Sequence, residues 1–130
     1  MAKTTLVGSR SATSDIDEGR RFLELLSEAK IKVQAALWQW SEPSGEWQFL
    51  IVTPLVVKLG LKEAYRRLDD ILSTAENRPA VDMLNVYLIT PGARLYKSLH
   101  RELQNVHDRQ VSKRSVGDHF LDEAFIYFVK

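Results

Sequence analysis

Residues 31–53 alternate between apolar and more polar positions in the way that a β-hairpin requires. Because successive side chains of a strand point to opposite faces, a first strand that buries the aliphatic set at every second position turns Trp38 and Trp40 to its other face. Pro43 presets one backbone angle and Gly45 can take a left-handed one, so both favour the reversal between the strands. The aliphatic set consists of Ile31, Val33, Ala35 and Leu37.

Apolar side chains at helical spacing predict three helices. The first spans about 15–29 after an N-cap at Ser14, the second carries its apolar stripe over 61–75, and the third carries its seam over 96–106. A Thr-Pro pair ends the strand before each of the last two helices, and we interpret the two pairs as two uses of one stop signal. These pairs lie at 53–54 and 90–91, and further strands are predicted at 84–90, 111–116 and 123–129.

The predicted order of elements is α-β-β-α-β-α-β-β. It indicates a single α+β or α/β domain over 14–130, with a mixed β-sheet of about five strands, one β-hairpin and about three helices, behind a mobile N-terminal tail at 1–13. Two strand-helix-strand passages favour right-handed crossovers between parallel strands. If both crossovers run in the same direction, their helices share one face of the sheet, and the face of Trp38 and Trp40 is left to the first helix or to another molecule.

That second face predicts a contact surface for a protein partner. Tryptophan half exposed at the end of a sheet is a common interface anchor, and Trp38 shares its strand face with the polar Lys32 and Gln34. We therefore expect a small soluble non-catalytic interaction protein or accessory subunit that self-associates as a homodimer or another homo-oligomer. The predicted partner-binding residues are Trp38, Trp40, Tyr87, Phe125 and Tyr127, with Ala124 and Ile126 as the alternative to the last two.

Composition and charge fit one globular domain and narrow the classes of partner. The chain has 130 residues, of which 45% are hydrophobic and 27% are charged. Lys and Arg number 18 against 17 Asp and Glu, so at a net charge of +1 no field of the whole molecule attracts nucleic acid or a membrane. No cysteine is present to form a disulfide. Segment 1–13 lacks a signal-peptide core and the apolar runs are too short to cross a bilayer, so we expect a cytoplasmic protein without membrane contact.

One segment is locally basic and supports an alternative function. Residues 93–116 carry six Lys and Arg against only Glu102 and Asp108. Part of this charge falls at helical spacing on one face of the third helix, opposite its apolar seam, where it is able to contact phosphates. The alternative is therefore a nucleic-acid-binding domain that uses the basic segment 94–114. Its candidate residues are Arg94, Lys97, Arg101, Arg109, Lys113 and Arg114.

A further alternative is a small hydrolase-type enzyme with a histidine-containing site. His100 and His107 lie two helical turns apart and His119 follows in a loop, which gives no recognisable spacing for a catalytic triad or a metal. The glycines are isolated, so the chain has neither a phosphate-binding loop nor a nucleophile elbow. We assign no catalytic residue, no metal ligand and no cofactor, and leave open whether the protein is an enzyme.

Overall fold

A computed structural model describes residues 10–130 of the chain and the side chains of residues 15–130. Over this range the strands form one five-stranded mixed sheet, which confirms the predicted fold class. The helices are α1 (Arg10–Glu28), α2 (Leu55–Leu59), α3 (Leu61–Thr74) and α4 (Arg94–Leu103), with a 3-10 turn at Met83–Asn85. The strands are β1 (Ala35–Ser41), β2 (Glu46–Val52), β3 (Val86–Ile89), β4 (His107–Val116) and β5 (His119–Val129).

Several boundaries differ from those that the sequence predicts. The second predicted helix is α3, and a short helix that was not predicted, α2, precedes it; Gly60, whose φ of 83° is not helical, separates the two. The first helix begins at Arg10 rather than after a cap at Ser14, and β4 and β5 each begin four residues earlier than predicted. Residues 1–9 of the predicted mobile tail lie outside the described residues. No helix of the described part of the chain is long and apolar enough to cross a membrane.

The strands lie in the order β3-β2-β1-β5-β4, and their pairing contains one parallel contact. β1 is antiparallel to both β2 and β5, and β5 is antiparallel to β4, while β2 and β3 run parallel. The passage from β2 through α2 and α3 to β3 is therefore a parallel crossover, as predicted. The passage from β3 through α4 to β4 joins opposite edges of the sheet, so the prediction of a second parallel crossover is wrong.

Helices cover both faces of the sheet, and they do so unequally. Phe22 of α1 and Leu68 of α3 pack with Trp38 on one face, which we call the helix-pair face. Leu99 of α4 packs with Leu37 on the other, which we call the single-helix face. The two strand-helix-strand passages thus place their helices on opposite sides of the sheet. The face of Trp38, which was expected to be left to the first helix or to another molecule if both crossovers ran in the same direction, is covered by α1 and by α3.

Alternation along β1 is confirmed, although not over the whole predicted set. Ala35 and Leu37 lie on the single-helix face, and Trp38 lies on the helix-pair face. Ile31 and Val33 precede β1, and both join the core of the helix-pair face. The strand rhythm therefore does not extend back to position 31, because that stretch is the connection from α1 into the sheet.

Candidate functional site

The predicted aromatic contact surface is for the most part the interior of the protein. Trp38, Phe125 and Tyr127 are 6%, 9% and 2% exposed, so the prediction that they face a partner is wrong. The Trp38 Nε1 donates a hydrogen bond of 2.9 Å to the Tyr127 hydroxyl, which donates one of 2.6 Å to the Ile16 carbonyl of α1. Burial raises the pKa of the Tyr127 phenol, which keeps this hydroxyl a neutral donor. These rings attach α1 to the sheet.

The two remaining members of the aromatic set do not form one surface. Trp40 is half-buried near the hairpin turn, where its ring meets Trp47 edge-on with 5.5 Å between ring centroids. Its indole Nε1 is buried and has no hydrogen-bond partner among the described residues. Tyr87 is 37% exposed and pairs in register with Leu50, which lies on the single-helix face. Trp40 and Tyr87 therefore lie on opposite faces of the sheet.

Half of the predicted basic segment is paired with acidic side chains. Arg94 lies 3.6 Å from Asp118, and Arg101 and Arg114 lie 3.5 and 3.8 Å from Glu102. Exposed pairs of this kind stabilise a fold little, but they lower the local positive charge. The other three residues are exposed and have no ion pair with the described residues: Lys97 on α4, and Arg109 and Lys113 on the edge strand β4.

The three histidines occupy different environments. His100 is exposed, with its Nδ1 3.0 Å from the Lys130 carbonyl, and His107 is exposed at the start of β4. His119 is half-buried, and its Nε2 lies 2.8 Å from Gln39 Oε1. Burial lowers the pKa of His119. Among the described residues, no three His, Cys, Asp or Glu side chains converge as a metal site would require.

A cavity that sequence reasoning missed lies at the carboxyl ends of the parallel strands β2 and β3. Its volume is about 710 Å³, and we call it the crevice. After β2 the chain passes to the helix-pair face, whereas after β3 it passes to the single-helix face. Neighbouring parallel strands whose connections diverge in this way leave a gap between them, and open α/β sheets bind ligands at such gaps.

The crevice walls are apolar and basic. Ile31, Leu55 and Leu59 supply aliphatic surface, and Val57 at the rim is 73% exposed. Four cationic side chains also line the crevice, and the described residues that line it include no Asp or Glu. The cations are Lys30, Lys32, Lys58 and Arg67.

None of these four cations forms an ion pair with another described residue. Glu63 lies four residues before Arg67, a spacing that favours an ion pair on a helix. In the structure, however, the Glu63 carboxylate lies 3.1 Å from the Arg66 guanidinium instead. Arg67 therefore lines the crevice without an acidic partner among the described residues. All four side chains are exposed, so solvent and salt screen their attraction for an anion, and the adjacent apolar surface adds to binding only where the ligand itself is apolar.

The two Thr-Pro pairs fix the mouth of the crevice. Thr53 is fully buried, and its hydroxyl donates to the Lys32 carbonyl at 2.7 Å and accepts from the Leu55 amide at 3.2 Å. The Thr90 hydroxyl accepts from the Gly92 amide at 3.4 Å, also two residues further on. Each threonine therefore ends its strand in the same kind of turn. The repeated Thr-Pro pair is the one signal of this site in the sequence, where by itself it indicates only the end of a strand.

Comparison of the chain with models of known protein families, with curated proteins and with solved structures gave no match. The side chains of the crevice and their geometry are therefore the basis on which a function is inferred.

Proposed function

We propose that this protein is a non-catalytic binding protein whose crevice takes a small amphiphilic anion, namely an apolar carboxylate. The observation that carries the proposal is the set of four cations that line an apolar cavity, form no ion pair with a described residue and have no acid among the described lining residues. A volume of about 710 Å³ falls in the range of small-molecule sites. Arg67 offers the planar guanidinium that matches a carboxylate with two parallel hydrogen bonds.

The apolar part of the ligand is inferred from the exposed rim. Val57 and Leu59 are 73% and 45% exposed, and both line the crevice. Covering apolar surface contributes about 25 cal/mol for each Å² removed from water. A ligand that places its carboxylate among the cations and its apolar body against this rim satisfies both features at once.

Binding rather than catalysis is supported by what lines the crevice. Its described lining contains no His, Cys, Asp or Glu to act as nucleophile or general base. The hydroxyl of Thr53 is already engaged with two backbone groups. The cations that remain are suited to holding a charge.

The test is calorimetric titration of the full chain with decanoate below its micelle concentration, and with decyltrimethylammonium as the cationic counterpart. We expect decanoate to bind and the cation not to bind. Arg67→Gln should weaken decanoate binding by about tenfold, because a charge-assisted hydrogen bond contributes about 1.5–3 kcal/mol and water replaces part of it. Arg66→Gln is the matched control, since Arg66 is the adjacent arginine and already pairs with Glu63.

Two outcomes would contradict the proposal. One is the absence of heat and of chemical-shift change at the crevice with decanoate at low salt. The other is equal weakening by Arg66→Gln and Arg67→Gln, which would mean that the ligand senses general surface charge rather than the crevice.

A protein or nucleic-acid partner, self-association as a homodimer and a cytoplasmic location stay predictions from the sequence. Of the five predicted partner-binding aromatics, Tyr87 is the most exposed, on the edge strand β3. A homodimer would therefore use Tyr87 rather than Trp38. Size-exclusion chromatography with light scattering tests it, because a monomer at all concentrations would exclude self-association.

A further inference from the structure

A second cavity separates α4 from the turn between β4 and β5, and nothing in the proposed function uses it. Its volume is about 440 Å³, and we call it the α4 pocket. Three cations of α4 line one side, and the turn residues Gly117, Asp118 and His119 line the other. The cations are Arg94, Lys97 and Arg101.

Helical spacing brings these three cations to the same cavity. Residues three and four apart share a face of an α-helix, so the three side chains follow each other over two turns, about 10 Å along the axis. Asp118 is the one acid among the described lining residues, and its exposed carboxylate lies 3.6 Å from Arg94. Lys97 has no ion pair with another described residue. The positive charge of the pocket therefore exceeds that of its one lining acid, and an anion with more than one charge can bind there.

A serine hydroxyl in the wall of the pocket adds a neutral donor to the three cations. Ser98 is 9% exposed, lines the α4 pocket and makes no hydrogen bond with a described residue. No described residue pairs with this hydroxyl, so it offers a hydrogen-bond donor beside the cations, where an anion in the pocket can supply the acceptor. The turn lies against this hydroxyl because position 117 is glycine with a φ of 59°, and an added Cβ would come within 2.9 Å of the Ser98 Cβ.

We propose that the α4 pocket binds the phosphate group of a small phosphomonoester. Such a group carries close to two negative charges and three acceptor oxygens at neutral pH. Lys97 and Arg101 supply charged donors, and the Ser98 hydroxyl supplies a neutral one at the base of the pocket. Arg94 and Arg101 give up their contacts with Asp118 and Glu102 to the ligand. A single carboxylate would use only part of this donor set.

A polyanion is the competing occupant, and the structure favours the small ligand. Nucleic acid binds through charge spread over an extended surface. Here Arg109 and Lys113 lie on β4 outside the pocket, whereas the unpartnered hydroxyl lies within it. These two β4 residues are therefore the matched control for the pocket.

The experiment is a titration of the full chain with phenyl phosphate. Calorimetry measures the affinity, and the chemical shifts of the backbone amides locate the binding site. We expect shifts centred on Ser98 and Gly117. Lys97→Gln and Arg101→Gln should each weaken binding by about tenfold and Ser98→Ala by about threefold, as expected for charged and neutral donors. The double variant Arg109→Gln and Lys113→Gln should bind as the original chain does.

Three results would overturn the proposal. They are no binding of phenyl phosphate at low ionic strength, equal weakening by the β4 double variant, or tight salt-dependent binding of an oligonucleotide that needs Arg109 and Lys113. The shifts on the unchanged chain decide the matter if a variant fails to fold.

Discussion

The two faces of the sheet bury their side chains in different ways. The helix-pair face is sealed by α1 and α3, and its rings are joined to α1 by the hydrogen bonds from Trp38 to Tyr127 and from Tyr127 to Ile16. Among the described helices only α4 covers the single-helix face, and beside its apolar core runs a polar row in which His119 contacts Gln39 and Gln39 donates to Gln48 at 2.9 Å. Trp38 and Gln39 are neighbours on β1, yet Trp38 lies in an aromatic core and Gln39 lies on a partly exposed polar surface.

The difference teaches that alternation assigns residues to opposite faces without saying which face is covered. Coverage depends on where each connection places its helix, and here the two strand-helix-strand passages go to opposite faces. α4 has ten residues and is too short to cover all five strands, so the margins of the single-helix face stay exposed. That is where Tyr87, the polar row and the α4 pocket lie.

The largest expected effect tests whether Trp38 is core. Replacing it by Ala removes a large side chain from a sealed site and leaves the Tyr127 hydroxyl without its donor, so we expect a loss of about 3–5 kcal/mol in the free energy of unfolding. Urea unfolding followed by circular dichroism measures it. Trp40→Ala, on the same face but half-buried, should cost clearly less.

The comparison of the faces fails if Trp38→Ala leaves the stability of the protomer unchanged. If the substitution only dissociates an oligomer into folded monomers, Trp38 would belong to a surface that binds a partner. Light scattering alongside the unfolding curve separates these two results.

The second effect tests how closely α1 approaches the sheet. A Cβ added at Gly19 would lie 3.0 Å from the Trp38 Nε1 and closer still to the Tyr127 hydroxyl. We therefore expect Gly19→Ala to lower the free energy of unfolding by about 1–3 kcal/mol through overpacking. The sign is informative, because the same substitution inside an ordinary helix raises stability by about 0.5–1 kcal/mol. Ser27→Ala, at an exposed position of α1, is the control, and a gain of stability at both positions would contradict the close packing.

Much of the fold could be predicted from the sequence because it is encoded locally. The stripe over 61–75 identifies the buried residues Ala64, Leu68 and Leu72 of α3. Tyr96, Leu99 and Leu103 are likewise the buried seam of α4, as their spacing indicates. The hairpin and its turn follow from alternation and from Pro43 and Gly45. Each of these signals lies within one short segment of the sequence.

The sites could not be predicted in this way because they depend on contacts between distant segments. The crevice needs β2 and β3 to be parallel neighbours whose connections diverge, and it joins Lys30 to Thr90. The choice of Arg66 over Arg67 as the partner of Glu63 is also invisible in the spacing, since both arginines are within reach. Only the pair of Thr-Pro turns pointed to this end of the sheet.

A smaller effect tests the polar row on the single-helix face. Gln39→Ala removes the side chain that links His119 to Gln48, and we expect a loss of about 1 kcal/mol or less, because water replaces hydrogen bonds at a half-buried site. Chemical denaturation measures it beside Trp38→Ala. A loss as large as that of Trp38→Ala would show that the two faces are equally sealed, and the contrast between them would then be wrong.

The smallest effect concerns pH and isolates His119 within that row. Burial lowers the pKa of His119 from its usual 6.5, so near and just below pH 6.5 the unfolded chain binds the proton more readily than the folded one. The free energy of unfolding should therefore fall as the pH drops from 8 towards 5, and His119→Gln should make that fall shallower while still reaching Gln39. Half exposure keeps the difference small. Unfolding curves of both chains between pH 5 and 8 measure it, and parallel pH profiles would mean that folding does not favour the neutral imidazole.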